Sequence, residues 1–235
     1  MYKTRVDAVD FLQAFIPLLK RRPGREIVIC PSFPVLETMV KQLKSVGLKG
    51  KFVQVGAQNA HFEFSGAFTG EVSVDQLKEI GCTYVILGHS ERRRYCEETD
   101  EIINKKVVSA LRTGLIPIIC VGESQMERKT GKTLSVLKQQ LRAILAGLSQ
   151  KHTSKVIIAY EPIWAIGSGL TPSLAQIEDA HQTIRQTSGI STVLYGGSVN
   201  PESIQHLLPS KEINGFLVGS ASLDADSLAK MVNAV

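Results

Sequence analysis

Val156-Ile157-Ile158-Ala159-Tyr160-Glu161-Pro162-Ile163-Trp164-Ala165-Ile166-Gly167-Ser168-Gly169 is the stretch that bears most directly on how this chain folds. Apolar residues succeed one another from Val156 to Ala159 without the alternation of a half-solvated strand, as expected of a parallel strand covered on both faces. Glu161 therefore emerges at the carboxyl end of a buried strand. Pro162 fixes its own φ and restrains Glu161, the bulky Ile163-Trp164 pair stiffens the start of the next loop, and Gly167 and Gly169 let its backbone close on a ligand. A carboxylate becomes a stronger base, and a reactive intermediate survives, where water is shut out. The layout is that of a base, Glu161, followed by a lid running from Pro162 through Ile163, Trp164, Ala165, Ile166 and Ser168 to Gly169. Glu161 alone reads better as an exposed residue in a strand-to-helix turn; the whole segment favours the base.

Short apolar runs of the same kind recur along the chain, separated by amphipathic helical stretches, which predicts α/β architecture with a parallel sheet. The candidate strands are Glu26–Cys30, Phe52–Ala57, Tyr84–Gly88, Ile116–Gly122, Lys155–Tyr160, Thr192–Gly196 and Gly215–Gly219. Helices are expected over Asp100–Arg112, closed by Gly114, over Thr133–Leu148, and from starts at Thr171-Pro172 and Asn200-Pro201, where a capping side chain precedes a proline in the first turn. The chain opens on a helix, with Ala8, Phe11, Leu12, Phe15 and Leu19 at helical spacing behind a capping box of Thr4 and Asp7. The count is about seven strands and eight helices. An eightfold βα barrel would then lack its opening strand, whereas an open doubly wound sheet needs none, and the pattern leaves the two unresolved.

A chain of 235 residues with 43% hydrophobic content can bury one large core, and nothing in it reads as a linker, so one domain over residues 1–235 is expected. Lys and Arg outnumber Asp and Glu by 27 to 22, but apart from Lys20-Arg21-Arg22 and Arg92-Arg93-Arg94 the cations are interspersed with acids. That distribution argues against nucleic acid and suits a small anionic substrate. Cys30, Cys82, Cys96 and Cys120 form no CxxC pair and read as buried free thiols in a reducing compartment. Phe11–Leu19 is too short, and too interrupted by Gln13 and Pro17, for a signal peptide or membrane span, so a cytoplasmic location is expected. His152, His181 and His206 read as solvated surface residues, and no metal-ligand spacing is present.

The run Val85-Ile86-Leu87-Gly88-His89-Ser90-Glu91-Arg92-Arg93 delivers a histidine to another strand's carboxyl end. If Ser90–Arg93 begin a helical turn, its free amides point back at the ring and disfavour imidazolium, leaving His89 a neutral hydrogen-bond donor. A lone histidine there is more often a surface residue; its match in position to Glu161 is what raises it. Two later loops, Tyr195-Gly196-Gly197-Ser198-Val199-Asn200-Pro201 and Val218-Gly219-Ser220-Ala221-Ser222, carry the small residues that let backbone amides reach a phosphate.

Taken with Ala57-Gln58-Asn59, Gly66–Glu71 and Cys120-Val121-Gly122-Glu123, these segments resemble the triosephosphate isomerase family along the whole chain. The resemblance implies a TIM (β/α)8 barrel that interconverts dihydroxyacetone phosphate and D-glyceraldehyde 3-phosphate in glycolysis and gluconeogenesis, an aldose-ketose isomerase with no cofactor. It implies Glu161 as the proton shuttle and His89 as the electrophile, roles that general accounts of catalysis already assign in this family. It implies closure of the lid and a phosphate held by Gly167, Ser198, Gly219 and Ser220. Glu91 matches a position beside the family's catalytic lysine, though it reads equally well as a helix-start carboxylate, and Cys120 matches a packing position. The loop His61–Ser73 places Thr69 where the family inserts a residue into a partner subunit, so a homodimer is expected.

The chain departs from the family at its start. The family's opening strand ends in Asn-x-Lys just before the position of Met1, so the expectation is a barrel without its first strand, N-terminally incomplete and strongly impaired as written. The alternative is an inactive remnant or a non-catalytic triose phosphate binder. Lys3 belongs to the turn before the first helix and is no substitute. Ser220 stands where a second glycine is usual, and Leu170 where a lysine is common.

Overall fold

The computed structural model describes residues 1–20, 23–48, 52–166 and 170–235. Eighteen regular elements follow one another among them. In order they are α1 (Arg5–Phe15), β1 (Ile27–Ile29), α2 (Leu36–Ser45), β2 (Val53–Ala57), α3 (Val74–Ile80), β3 (Tyr84–Leu87), α4 (Ser90–Tyr95), α5 (Asp100–Arg112) and β4 (Ile116–Val121). Then come α6 (Gln125–Lys129), α7 (Thr133–Ile144), α8 (Gln150–Thr153), β5 (Ile157–Tyr160), α9 (Leu174–Ser188), β6 (Val193–Tyr195), α10 (Ser203–Leu207), β7 (Gly215–Phe216) and α11 (Ala225–Ala234). All neighbouring strands pair in parallel and in sequence order from β1 to β7, the arrangement of a βα barrel. Among the described residues β1 pairs only with β2 and β7 only with β6, so both keep an open edge, and no strand precedes α1.

Strand alternation splits the apolar residues into two clusters. Tyr84, Ile86, Ile118, Cys120 and Ala159, with Val28, Cys30, Ile157, Leu194 and Leu217 against them, line the concave face. Val85, Leu87, Ile119, Val121, Ile158, Tyr160, Val193 and Tyr195 point the other way, into the larger core beneath the helices. Both faces are thus covered, which is why the strands read as continuous apolar runs.

The opening helix carries the expected capping box, with the Asp7 amide donating to Thr4 Oγ1 and the Thr4 amide to Asp7 Oδ2, and buries Ala8, Phe11, Leu12 and Phe15. Lys3 sits at a φ of 64° with its ammonium 4.7 Å from the Phe11 ring centre, on that helix rather than at a strand end. Helix α5 has its expected bounds, Thr99 capping it and Gly114 beyond its end at a φ of 73°.

Several expectations are corrected. There are eleven α-helices among the described residues rather than eight; the additional α4, α6 and α8 have six, five and four residues, too few to display a helical period. Helix α7 ends at Ile144, short of Leu148. The cap of α9 is Ser173, paired with Gln176 in a capping box, so Thr171-Pro172 lies before the helix. Helix α10 starts at Ser203 behind Glu202 and has no side-chain cap, so Asn200-Pro201 lies in the turn before it, where the Asn200 side chain accepts from the amides of Glu202 and Ser203. Of the four free thiols, Cys82 and Cys120 are buried, Cys30 is half-buried and Cys96 is exposed.

Candidate active site

On β5 the inward parity runs Ile157, Ala159, Glu161, so strand alternation alone aims the carboxylate into the barrel mouth. His89 is different. The inward residues of β3 are Tyr84 and Ile86, and continued alternation would turn residue 89 outward. Gly88, at a φ of 70°, breaks that parity, and a Cβ there would lie 2.6 Å from Ile103 Cδ1, so only glycine allows the turn.

His89 Nε2 and Glu161 Oε1 are 3.2 Å apart. Helix α4 begins immediately after His89, and the Glu91 amide donates to His89 Nδ1 at 3.3 Å. A nitrogen that accepts cannot carry the ring proton, so the proton sits on Nε2, the nitrogen facing Glu161. The Ser90 amide donates to Glu161 Oε2 at 3.0 Å. Glu161 is almost wholly buried; burial raises its carboxyl above the usual range, while His89, the Ser90 amide and the Cys120 thiol oppose the rise. The result is a desolvated carboxylate facing an imidazole nitrogen.

The backbone under these groups is tightly constrained. A Cβ at Gly122 would fall 1.7 Å from the Glu161 carbonyl oxygen, so the residue that follows β4 must be glycine for the end of β5 to pass. Gln140 clamps that glycine from α7, its Nε2 donating to the Gly122 carbonyl at 3.0 Å and its Oε1 accepting from the Gly122 amide at 2.9 Å. Arg93 joins β3 to β4: Nε donates to the Gly88 carbonyl at 3.0 Å, Nη2 to the Cys120 carbonyl at 3.2 Å, and Nη1 to Asp100 Oδ1 at 2.7 Å. Sequence reasoning passed over Gln140 and Arg93 because helix-borne polar residues carry no local signal of what they reach.

Beyond Glu161, the segment Pro162–Ile166 is held down by Glu123, which is fully buried. Trp164 Nε1 donates to Glu123 Oε1 at 2.8 Å, the Ile163 amide donates to the Glu123 carbonyl at 3.1 Å, and the Tyr160 hydroxyl donates to the same carboxylate at 3.1 Å. Ser198 Oγ donates to the Ala165 carbonyl at 2.6 Å, tying the loop after β6 to this segment. Gly167, Ser168 and Gly169 lie outside the described residues. Gly219 and Ser220 are exposed at the end of β7, beside the loop after β6 because those strands pair; a Cβ at Gly219 would meet nothing within 4 Å. Glu91 is exposed, with Oε2 3.8 Å from His89 Nδ1. Thr69 is exposed on the 61–73 loop, where His61 stacks on Phe62 and meets Phe68 at a tilt. No group of three or more His, Cys, Asp or Glu that could hold a metal occurs among the described residues, and no described helix is long and apolar enough to cross a membrane.

The histidine expectation needs a correction at one position. His152 and His206 are exposed, but His181 is completely buried in α9, its Nδ1 2.9 Å from the Glu212 carbonyl oxygen and its ring perpendicular to Tyr160. It falls on the inward face of α9 with Ile177 and Ile184, a face that its polarity disguised. Burial lowers its pKa to about 4, the Glu212 carbonyl opposing and Arg185 assisting. A folded pKa below the ordinary 6.5 means that the unfolded chain binds the extra proton more readily. The stability involved is intact above pH 6.5 and erodes as pH falls towards 4, by about 3 kcal/mol at 1.36 kcal/mol per unit. Urea midpoints between pH 7 and 4 should fall less steeply in His181→Phe than in the parent; identical slopes would remove His181 as the cause.

Comparison with known proteins follows the same residues. The family model described as "Triosephosphate isomerase" matches residues 1–235. The chain is 44% identical over 240 residues to a triosephosphate isomerase of Aquifex aeolicus, covering 99% of this chain and 95% of that protein. It is 46% identical over 244 residues to that of Dictyoglomus thermophilum, at the same coverages. A crystal structure of triosephosphate isomerase from Bartonella henselae superposes with a TM-score of 0.86 at 35% identity, covering 99% of this chain and 94% of that one.

Proposed function

From the premise that this chain belongs to the triosephosphate isomerase family, we propose that it interconverts dihydroxyacetone phosphate and D-glyceraldehyde 3-phosphate through an enediol or enediolate. The observation that carries this is the 3.2 Å approach of His89 Nε2 to the buried Glu161 carboxylate. A substrate entering between them meets a base poised over its carbon-bound proton and an N–H aimed at its carbonyl oxygen. Glu161 takes the proton from one carbon and returns it to the neighbouring one; His89 donates to the carbonyl oxygen as negative charge develops there, and passes protons between the two oxygens. Neutrality of the imidazole suits it to give and recover a proton within one turnover.

The phosphate is assigned to backbone amides at Gly167, Ser198, Gly219 and Ser220, and the segment from Pro162 to Gly169 to a lid that excludes water over the intermediate. We assign the protein to glycolysis and gluconeogenesis in the cytoplasm, a setting consistent with four free cysteines. Its partner is a second copy, reached through the exposed Thr69 loop. The rival reading, an inactive remnant or a mere binder of triose phosphates, rests on the open edges that β1 and β7 keep among the described residues.

The purified chain, incubated with dihydroxyacetone phosphate in D2O, is expected to form the aldehyde and to incorporate deuterium at the carbon that loses its proton. Binding of the substrate without exchange, even at high enzyme concentration, would favour the binder instead.

A further inference from the structure

His181 is the buried ionisable group that the proposed chemistry leaves unused. Its Nδ1 shares the Glu212 carbonyl with Arg185 Nη2, which lies 2.6 Å from that oxygen, and its Nε2 is buried with no hydrogen-bond partner. What the ring does make is a perpendicular contact with Tyr160, centroids 5.9 Å apart at 87°, an arrangement that aromatic quadrupoles favour and that resists rotation of either ring. Tyr160 ends β5, one residue before Glu161, and points into the helical layer while Glu161 points into the barrel. Its hydroxyl lies on Glu123, whose carboxylate also accepts the Trp164 indole N–H. Arg128 flanks this assembly, its guanidinium 5.5 Å from the Trp164 ring centre and 3.9 Å from Glu123 Oε1.

We propose that His181 is a positioning residue for the segment Pro162–Ile166: its ring, wedged against Tyr160, holds the tyrosine hydroxyl on Glu123 and thereby fixes the carboxylate that latches Trp164. The chain of contacts runs from a helix on the outer layer to the segment after the base, without touching the substrate. With Tyr160 free to rotate, Glu123 loses one of its donors and the indole is held less firmly. The inference rests on the isomerase reading only for its effect on turnover, because the latch exists whether or not the protein catalyses.

The chain has a single tryptophan, so its fluorescence reports Trp164 alone. His181→Gln, which removes the ring, is expected to red-shift Trp164 emission and increase its quenching by acrylamide. Tyr160→Phe, which keeps the ring and removes the hydroxyl, should do the same. The double variant should show no further change, because both act through one contact. His181→Phe, which keeps an aromatic ring, should retain the parent spectrum. Where turnover is measurable, His181→Gln should raise KM more than it lowers kcat. A parent-like spectrum in folded His181→Gln overturns the proposal, as does an additive double variant, the mark of general loosening. If the glutamine variant does not fold, His181→Leu takes its place in the same comparison. Absence of isomerisation by the parent chain would refute the isomerase reading and leave these fluorescence outcomes intact.

Discussion

Replacing Glu161 by glutamine is expected to lower kcat/KM by about 10²–10⁴-fold, the range for loss of a positioned general base, and at the same time to raise thermal stability. The first effect follows from geometry: Glu161 is the carboxylate that His89 Nε2 faces, and an amide in its place has no basic lone pair of comparable strength. Exchange of the substrate's carbon-bound proton with solvent should vanish together with isomerisation; exchange that persisted unchanged would take Glu161 out of the mechanism. The second effect follows from the sign of its pKa shift. Burial raises the folded pKa of Glu161, so any stability linked to its protonation is present below the unfolded pKa and lost as pH rises through the folded one. At neutral pH the ionised group is a net cost of folding, which a neutral amide relieves while still accepting from the Ser90 amide. For a chain of this size, Tm should rise by about 2–4 °C per kcal/mol relieved. A variant that melts lower than the parent at pH 7 would mean that the hydrogen bonds to Glu161 outweigh its desolvation.

Closing the sheet edges that β1 and β7 leave unpaired among the described residues, by adding a parallel strand, is expected to raise Tm by about 2–4 °C per kcal/mol gained and to reduce edge-to-edge association. The residues those two strands send inward, Val28, Cys30 and Leu217, are incompletely buried, so a strand laid beside them would cover apolar surface as well as satisfy backbone groups. Thermal melts and sedimentation of the protein with and without the added strand check this; unchanged Tm and unchanged association would mean that those edges cost the fold nothing.

Much of the site could be read locally. Glu161 lies on the inward parity of an uninterrupted apolar run, and a glycine followed by His89 and a helix start marks the end of another. The capping box at Thr4 and the bounds of α5 were equally visible, since each depends on residues within one or two turns. Short helices were not, because four to six residues hold too few positions to reveal a period. His181 was misjudged for a different reason. Its neighbours at helical spacing, Ile177 and Ile184, marked a buried face, but a polar ring on that face is tolerated only through contacts with Glu212 and Tyr160, which lie 31 and 21 residues away.

The parity that aims Glu161 inward and the glycine that turns His89 towards it follow from side-chain periodicity and backbone sterics, so the primary sequence determines them by itself, whereas strand order, which the pattern left open between a barrel and a doubly wound sheet, came from the tertiary structure. Which partners complete those two groups is another matter. The Cys120 thiol beneath the carboxylate, Gln140 clamping Gly122, Arg93 bracing two strands and Glu123 gathering Tyr160 and Trp164 are contacts between distant segments. Only the closed packing of helices on a curled sheet brings them within hydrogen-bonding range, and burial there, a property of the whole fold, makes Glu161 a stronger base than its sequence neighbours could.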